Sequence, residues 1–210
     1  MSKIRSAERI SDLIRERILA KELFPGSQIV EDELAKNTGV SRAVVRNAMI
    51  ELQKEGFVTI VPNKGSFVTN PKMKEVTSFY QVRQYLEIGA GELALKNITE
   101  EQITRMEENY ARQIDLLNNF SIEEYAILNR EFHWVIVEAA DNEFYTKYLR
   151  ELYNIQRLYI IFFDKSTSNA NSLKNHRKIL DGLRERNFDK YREGVIADCD
   201  INAIYGAEFN

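Results

Sequence analysis

The chain has 210 residues, is 44% apolar and carries a formal net charge of −3, an ordinary balance for a soluble globular protein with one large domain or two small ones. Its one cysteine, Cys199, excludes an internal disulfide and suits a reducing compartment. No stretch approaches the roughly 20 apolar residues of a membrane span, and the opening MSKIRSAERISDLI lacks the apolar run of a signal peptide, so a cytoplasmic location is expected.

Charge and proline divide the chain. Residues 1–72 hold all three prolines and carry 12 Lys and Arg against 9 Asp and Glu, a net +3. Residues 73–210 carry 17 against 23, a net −6. The join is expected in TNPKMKE, residues 69–75, where Pro71 disfavours helix in the residue before it. Two domains follow, 1–72 and 73–210.

In the first, residues 6–21 place Ile10, Leu13, Ile14 and Ile18 at helical spacing. Pro25-Gly26 breaks the pattern. Residues 31–37 predict a short helix with Leu34 and Ala35 inward, and Gly39 suits a turn of positive φ. Ser41 is a good N-cap for a helix over 42–55 that buries Val45, Ala48, Met49 and Leu52. FVTIV and SFVTN, joined by PNKG, predict a β-hairpin. Helix, helix, turn, helix, hairpin is the order of a winged helix-turn-helix.

With Val45, Met49 and Leu52 inward, Arg42, Arg46 and Asn47 fall on the opposite side of the third helix. An isolated pair of arginines there is ordinarily a solvated face. In this order of elements they sit where a recognition helix needs donors for phosphates and for the guanine edge in the major groove. Lys64 and Gly65 fall at the hairpin tip, where lysine neutralises phosphate and glycine permits close backbone approach.

The segment PGSQIVEDELAKNTGVSRAVVRNAMIELQKEGFVTIVPNKGSFV resembles the GntR family of bacterial transcription regulators in register over its whole length. The resemblance implies DNA contacts from Ser41, Arg42, Val44 and Arg46, with Lys64 and Gly65 at the wing tip. One departure is Asp32, where some members carry an arginine in the second helix.

In residues 73–210 helical stripes are read at about 75–96, 99–118, 121–140, 142–165, 170–186 and 188–206, which predicts an all-α six-helix bundle. Thr99 to Gln102 and Ser121 to Glu124 read as capping boxes. The chain's two histidines, His133 and His176, both lie here. Asn129 precedes His133 by four residues on one helix face, so its oxygen and the imidazole can share one metal ion.

This second unit resembles the FCD-type effector domain of the FadR-like branch of GntR regulators, in its shorter, VanR-like subgroup. The matching stretches are VRQYLEIGAGELAL, LNREFHWVIVEAADN and HRKILDGLRERN. The resemblance implies metal ligands at Asn129, His133, His176 and Asp198. The first is an amide where the family carries an acid, and the last a carboxylate where it carries a histidine, so the single negative charge has changed position without being lost. Such a set suits Zn²⁺, Ni²⁺, Fe²⁺ or Mn²⁺. Arg83 matches a family arginine beside the metal pocket, and its planar fork suits an effector carboxylate.

The expected protein is a ligand-responsive regulator, a repressor, that binds a palindromic operator in double-stranded DNA as a homodimer and senses a small organic or sugar acid. Two alternatives remain open at this stage. One is a dimeric DNA-binding protein whose bundle has lost its ligand. The other is a metal-dependent enzyme, against which the basic winged unit argues.

Overall fold

The structure, a computed structural model, describes residues 3–163, 166–201 and 204, the side chains of 3–5 and 166–170 excepted. The chain divides into two compact units, Met1–Pro71 and Lys72–Asn210.

The first unit contains α1 (Lys3–Leu19), β1 (Gln28–Ile29), α2 (Glu31–Thr38), α3 (Arg42–Lys54), β2 (Val58–Val61) and β3 (Gly65–Val68). The buried stripe of α1 is Ala7, Ile10, Ser11, Ile14 and Ile18, while Leu13 is only half-buried. It packs on α3 through Val45, Ala48, Met49 and Leu52, all fully buried. Gly39 ends α2 with φ +70°, the left-handed conformation that its lack of Cβ allows. Ser41 takes the N-cap position of α3, but its hydroxyl makes no capping hydrogen bond.

The hairpin is part of a larger sheet. A third antiparallel strand, β1, pairs with β3, giving the order β1-β3-β2. Gly26, with φ +83°, turns the chain so that its N–H donates to the Val68 carbonyl, and two residues of pairing follow. A two-residue strand carries no periodicity, which is why the sequence shows only the hairpin. Buried Ser66 on β3 donates to Glu31 Oε1 in the first turn of α2 at 2.8 Å, tying sheet to helices.

The second unit is helical: α4 (Met73–Asn97), α5 (Glu100–Asp115), α6 (Ile122–Ala140), α7 (Glu143–Phe163), α8 (Ser166–Arg184) and α9 (Phe188–Asp198). Thr99 and Gln102 form the full capping box of α5; at α6 only the Ser121 half of the box forms. α9 ends at Asp198, earlier than its stripe suggests; Ile201 and Ile204 are helical again, and the rest of the stripe to 206 lies outside the described residues.

Helix α9 is drawn close to α4 and α8. Tyr191 is fully buried and donates to the Glu87 carbonyl at 2.8 Å, with its ring lying directly against Gly91. A Cβ at Gly91 would overlap that ring. Gly91→Ala should therefore lower the melting temperature of the full chain, although alanine is the better helix former. The expected cost of overpacking is about 1–3 kcal/mol. Circular dichroism melts decide it, and a melting temperature equal to the parent's would mean that Tyr191 gives way freely.

Candidate metal centre and nucleic-acid interface

Each of the described helices α4 to α9 sends polar side chains to one buried point. Arg83 and Glu87 come from α4, Gln113 from α5, and Asn129 and His133 from α6. Tyr153 and Gln156 come from α7, Ser172 and His176 from α8, and Asp198 from the last position of α9. Asn129–His133 and Ser172–His176 each use the four-residue spacing that stacks side chains on one helix face.

Three ligand atoms converge. His133 Nε2 and His176 Nε2 are 3.2 Å apart. Asp198 places Oδ2 3.3 Å from His133 Nε2 and Oδ1 3.5 Å from His176 Nε2. These are the separations of neighbouring vertices around one ion bound at about 2.0–2.2 Å. His133, His176 and Asp198 are buried and form the group, among the described residues, able to hold a metal.

The imidazoles are oriented from behind. His176 Nδ1 lies 2.8 Å from Gln113 Oε1, so the ring donates there and turns its Nε2 lone pair inward. Gln113 Nε2 donates to Asn109 Oδ1 at 2.7 Å, and Asn109 Nδ2 donates onward to the Leu128 carbonyl and to Glu131 Oε2. His133 Nδ1 lies 3.5 Å from Glu87 Oε2. Phe132 stacks on His176 with ring centroids 4.3 Å apart.

Arg83, almost fully buried, is committed within the cluster. Its Nε donates to Glu87 Oε1 at 2.9 Å, and its Nη2 donates to Asp198 Oδ2 at 2.8 Å and lies 3.0 Å from His133 Nε2. Tyr153 steadies Glu87 from the other side, 2.7 Å from Oε1. The guanidinium expected to meet an effector thus already holds two carboxylates. Asn129 also differs from expectation. Its Oδ1 accepts from Gln156 Nε2 at 3.1 Å, so its NH₂ faces His176 Nε2. Turning both amides would aim its oxygen at the centre. A cavity of about 30 Å³ adjoins the cluster, lined by Tyr80, Arg83, Asn129, Gln156, Ser172 and Asp198 among others, room for water but not for an organic acid.

The titration behaviour follows from burial. Desolvation lowers the pKa of His176 to about 3, helped by His133 and Arg83 against the pull of Asp198. Burial alone would raise Asp198, but Arg83 and the two imidazoles hold it well below the usual carboxylate range.

Sequence reasoning missed Glu87, Gln113, Gln156 and Ser172, and read Tyr153 as one of several aromatic residues of the core or pocket lining. A signal existed for Gln113: it follows Ile103, Met106 and Asn109 on the buried stripe of α5, an inward position that an ordinary core would fill with an apolar residue.

In the first unit Arg42, Arg46 and Asn47 are exposed on α3, with exposed Ser41 just before it. Val44, by contrast, is packed inward at 8% exposure, so its side chain has little surface to offer DNA. Arg42 Nε is 2.6 Å from Asp32 Oδ1, both side chains remaining open to solvent. At the wing, Asn63 and Gly65 have positive φ, and the Lys64 carbonyl accepts from Gln28 Nε2 at 3.1 Å, so β1 braces the tip.

Residues 6–68 match the bacterial regulatory proteins of the gntR family, and residues 78–197 match the FCD domain. The chain belongs to the GntR family, in its FCD-bearing, FadR-like branch. The regulator is 31% identical over 173 residues to the Nta operon transcriptional regulator of Aminobacter aminovorans, covering 82% of this chain and 81% of that one. It is 27% identical over 183 residues to the HTH-type transcriptional repressor RspR of Escherichia coli, covering 87% and 80%. Its fold resembles E. coli McbR/YncC with a TM-score of 0.68 at 16% identity, covering 96% and 95% of the two chains. A putative GntR regulator from Rhodococcus sp. RHA1 gives 0.70 at 19%, covering 94% and 95%. The regulator is a DNA-binding transcription regulator and not an enzyme. No helix among its described residues is long and apolar enough to cross a membrane.

The His176 shift sets a pH dependence. Its folded pKa, about 3, lies below the unfolded 6.5, so the unfolded chain protonates first. Stability from neutral His176 is complete above pH 6.5 and is lost as pH falls towards 3. Asp198 acts in the same direction at lower pH, below its ordinary 3.8. In chelator, acidification from pH 6.5 to 4.5 should cost the parent roughly 2–3 kcal/mol more than it costs His176→Asn. Denaturant titrations at the two pH values read this, and parallel losses would place the charge-sensitive group elsewhere.

Proposed function

We propose that the regulator binds a palindromic operator as a homodimer and that its helical unit senses a small organic or sugar acid through a divalent cation. The observation that carries the sensing half is the convergence of His133 Nε2, His176 Nε2 and Asp198, with an acceptor behind each imidazole. The lone pairs converging there are met by Arg83 Nη2, the Ser172 hydroxyl and the Asn129 amide, positive or donor groups whose place a divalent cation would take. The buried carboxylates, Glu87 and Asp198, also outnumber the one guanidinium. A cation of the Zn²⁺, Ni²⁺, Fe²⁺ or Mn²⁺ class would be held by these three residues, with Asn129 if its amide turns, and would supply a Lewis-acidic anchor for a carboxylate. With a divalent cation the balance becomes +1, which a monoanionic acid would neutralise. Arg83 would meet that acid by loosening its Nη2 from Asp198, while Glu87, steadied by Tyr153, keeps its Nε side in place. The six helices support the shorter, VanR-like subgroup.

Arg46 and Asn47 are read as base-facing, Ser41, Lys64 and Gly65 as backbone-facing, and Val44 as structural support for the helix. Asp32 is read as the residue that holds Arg42 in one orientation and discourages loose phosphate binding, since its carboxylate repels the DNA backbone. For the second copy, α4 offers Val82 and Tyr85 and α7 offers Phe144, Tyr148 and Ile155. These large apolar side chains remain exposed on two helices that pack together. The operator places the protein with the chromosome, in the cytoplasm.

Two measurements test this reading. Arg46→Ala should keep its fold by circular dichroism and lose about 1–3 kcal/mol of operator affinity at fixed salt. Asp32→Ala should instead tighten binding to random DNA and narrow the gap between operator and random sequence. Undiminished operator binding by Arg46→Ala would move the readout to other residues. For the ion, adding Zn²⁺ or Mn²⁺ to chelator-stripped parent should raise its melting temperature, and His133→Ala and His176→Ala should lose that gain. No metal by elemental analysis, together with no gain for the parent, would leave the bundle as a dimerisation unit alone.

A further inference from the structure

A second cavity, distinct from the buried centre, opens between α5, α6 and α7. It has a volume of about 320 Å³ and is lined by Arg105, Ala126, Ile127, Arg130, Glu131, Trp134 and Arg157. Three guanidiniums therefore meet in one cleft on a region of net charge −6.

Their neutralisation is incomplete. Arg105 is paired with Glu138 at 2.8 Å. Arg157 reaches its nearest acid, Glu123, only at 3.9 Å, and its Nε is buried with no hydrogen-bond partner, the one such side-chain atom among the described residues. A buried donor without an acceptor costs on the order of 1–3 kcal/mol, so its persistence marks a place where an acceptor belongs. Arg130 is exposed and pairs with no acid among the described residues.

The rest of the lining narrows the acceptor's chemistry. Ala126, Ile127 and half-buried Trp134 give the cleft an apolar floor, and Arg150 lies over the Trp134 ring at 5.4 Å. A bare phosphate would use the guanidiniums and leave this floor wet. Glu131 in the wall, with Glu123 and Glu138 at the rim, would repel a polyanion. One negative charge on a flat apolar body satisfies both conditions: carboxylate on Arg130 and Arg157, ring on Trp134 and Ile127. The volume suits a small molecule. We propose that this cleft is a second ligand site of the regulator, separate from the buried centre, and that it takes a small aromatic monocarboxylate.

Trp134 is the only tryptophan of the chain, so its fluorescence reports from the cleft alone. Benzoate titrated into the full-length protein, with excitation on the red edge of tryptophan absorption, should give a saturable change. Benzamide, equal in shape but neutral, should give none. Arg130→Gln, a substitution at an exposed side chain that leaves the core untouched, should weaken benzoate about tenfold or more, the loss expected for one charge-assisted contact. Arg157→Gln should do likewise. The parent should bind benzoate equally in chelator and with added Zn²⁺, because no residue of the cleft belongs to the buried centre. Equal binding of benzamide, undiminished binding by Arg130→Gln, absence of a saturable change in the parent, or benzoate binding that requires added Zn²⁺ would each overturn the assignment.

Discussion

The second unit is organised around one buried guanidinium. Arg83 cannot leave the interior without stranding Glu87 and Asp198, and neither carboxylate could stay buried without it. Glu87 is on the same helix, but Asp198 is 115 residues away on α9, so the ion pair fixes where α9 ends relative to α4. That placement brings the Asp198 carboxylate onto the two imidazoles. Tyr191 on α9 anchors the same pair of helices by donating to the Glu87 carbonyl. A packing requirement and a chemical one are thus met by the same side chains, which explains why so much polarity is tolerated inside a helical core.

The first unit solves a different problem. Its groove-facing residues must stay exposed and still be held in place. Packing of α3 on α1 sets the helix, with Ser11 donating to Glu51 and Arg15 bridging to Glu55 on the side away from Arg46. Ser66 and Gln28 tie the wing to α2 and to β1. Asp32 adds a constraint on Arg42 that costs little in water, because an exposed ion pair is worth at most about 1 kcal/mol. Its effect is on orientation and on the local potential rather than on stability.

Much of this was legible beforehand. The stripes of α3 and α6, the caps at Thr99 and Ser121, and the turn at Gly39 follow from local rules. His133 and His176 stood out as the chain's two histidines, and it was the family resemblance that joined them into one site. The groups that tune them were harder to see. Glu87 reads as one more surface acid until Arg83 is known to face inward, and Gln113 acquires meaning only when α5 is laid beside α8. The orientation of the Asn129 amide is set by Gln156 on another helix, a contact that no spacing within α6 encodes. Strand β1 is too short to have a pattern at all.

The amide chain behind His176 has a direction. His176 donates to Gln113, Gln113 to Asn109, and Asn109 to the Glu131 carboxylate at the wall of the arginine-lined cleft. Each link passes polarisation outward, so the negative charge of a surface residue is felt as added basicity on a buried imidazole nitrogen. Carboxamides, however, do not carry protons as water or hydroxyl chains do. The chain is an electrical lead with insulated ends: it conveys field between surface and centre while leaving the proton on Nδ1 where it is. The opposite ring nitrogen, Nε2, faces the Ser172 hydroxyl, which borders the small water-sized cavity, so the two nitrogens of His176 meet groups of different kinds.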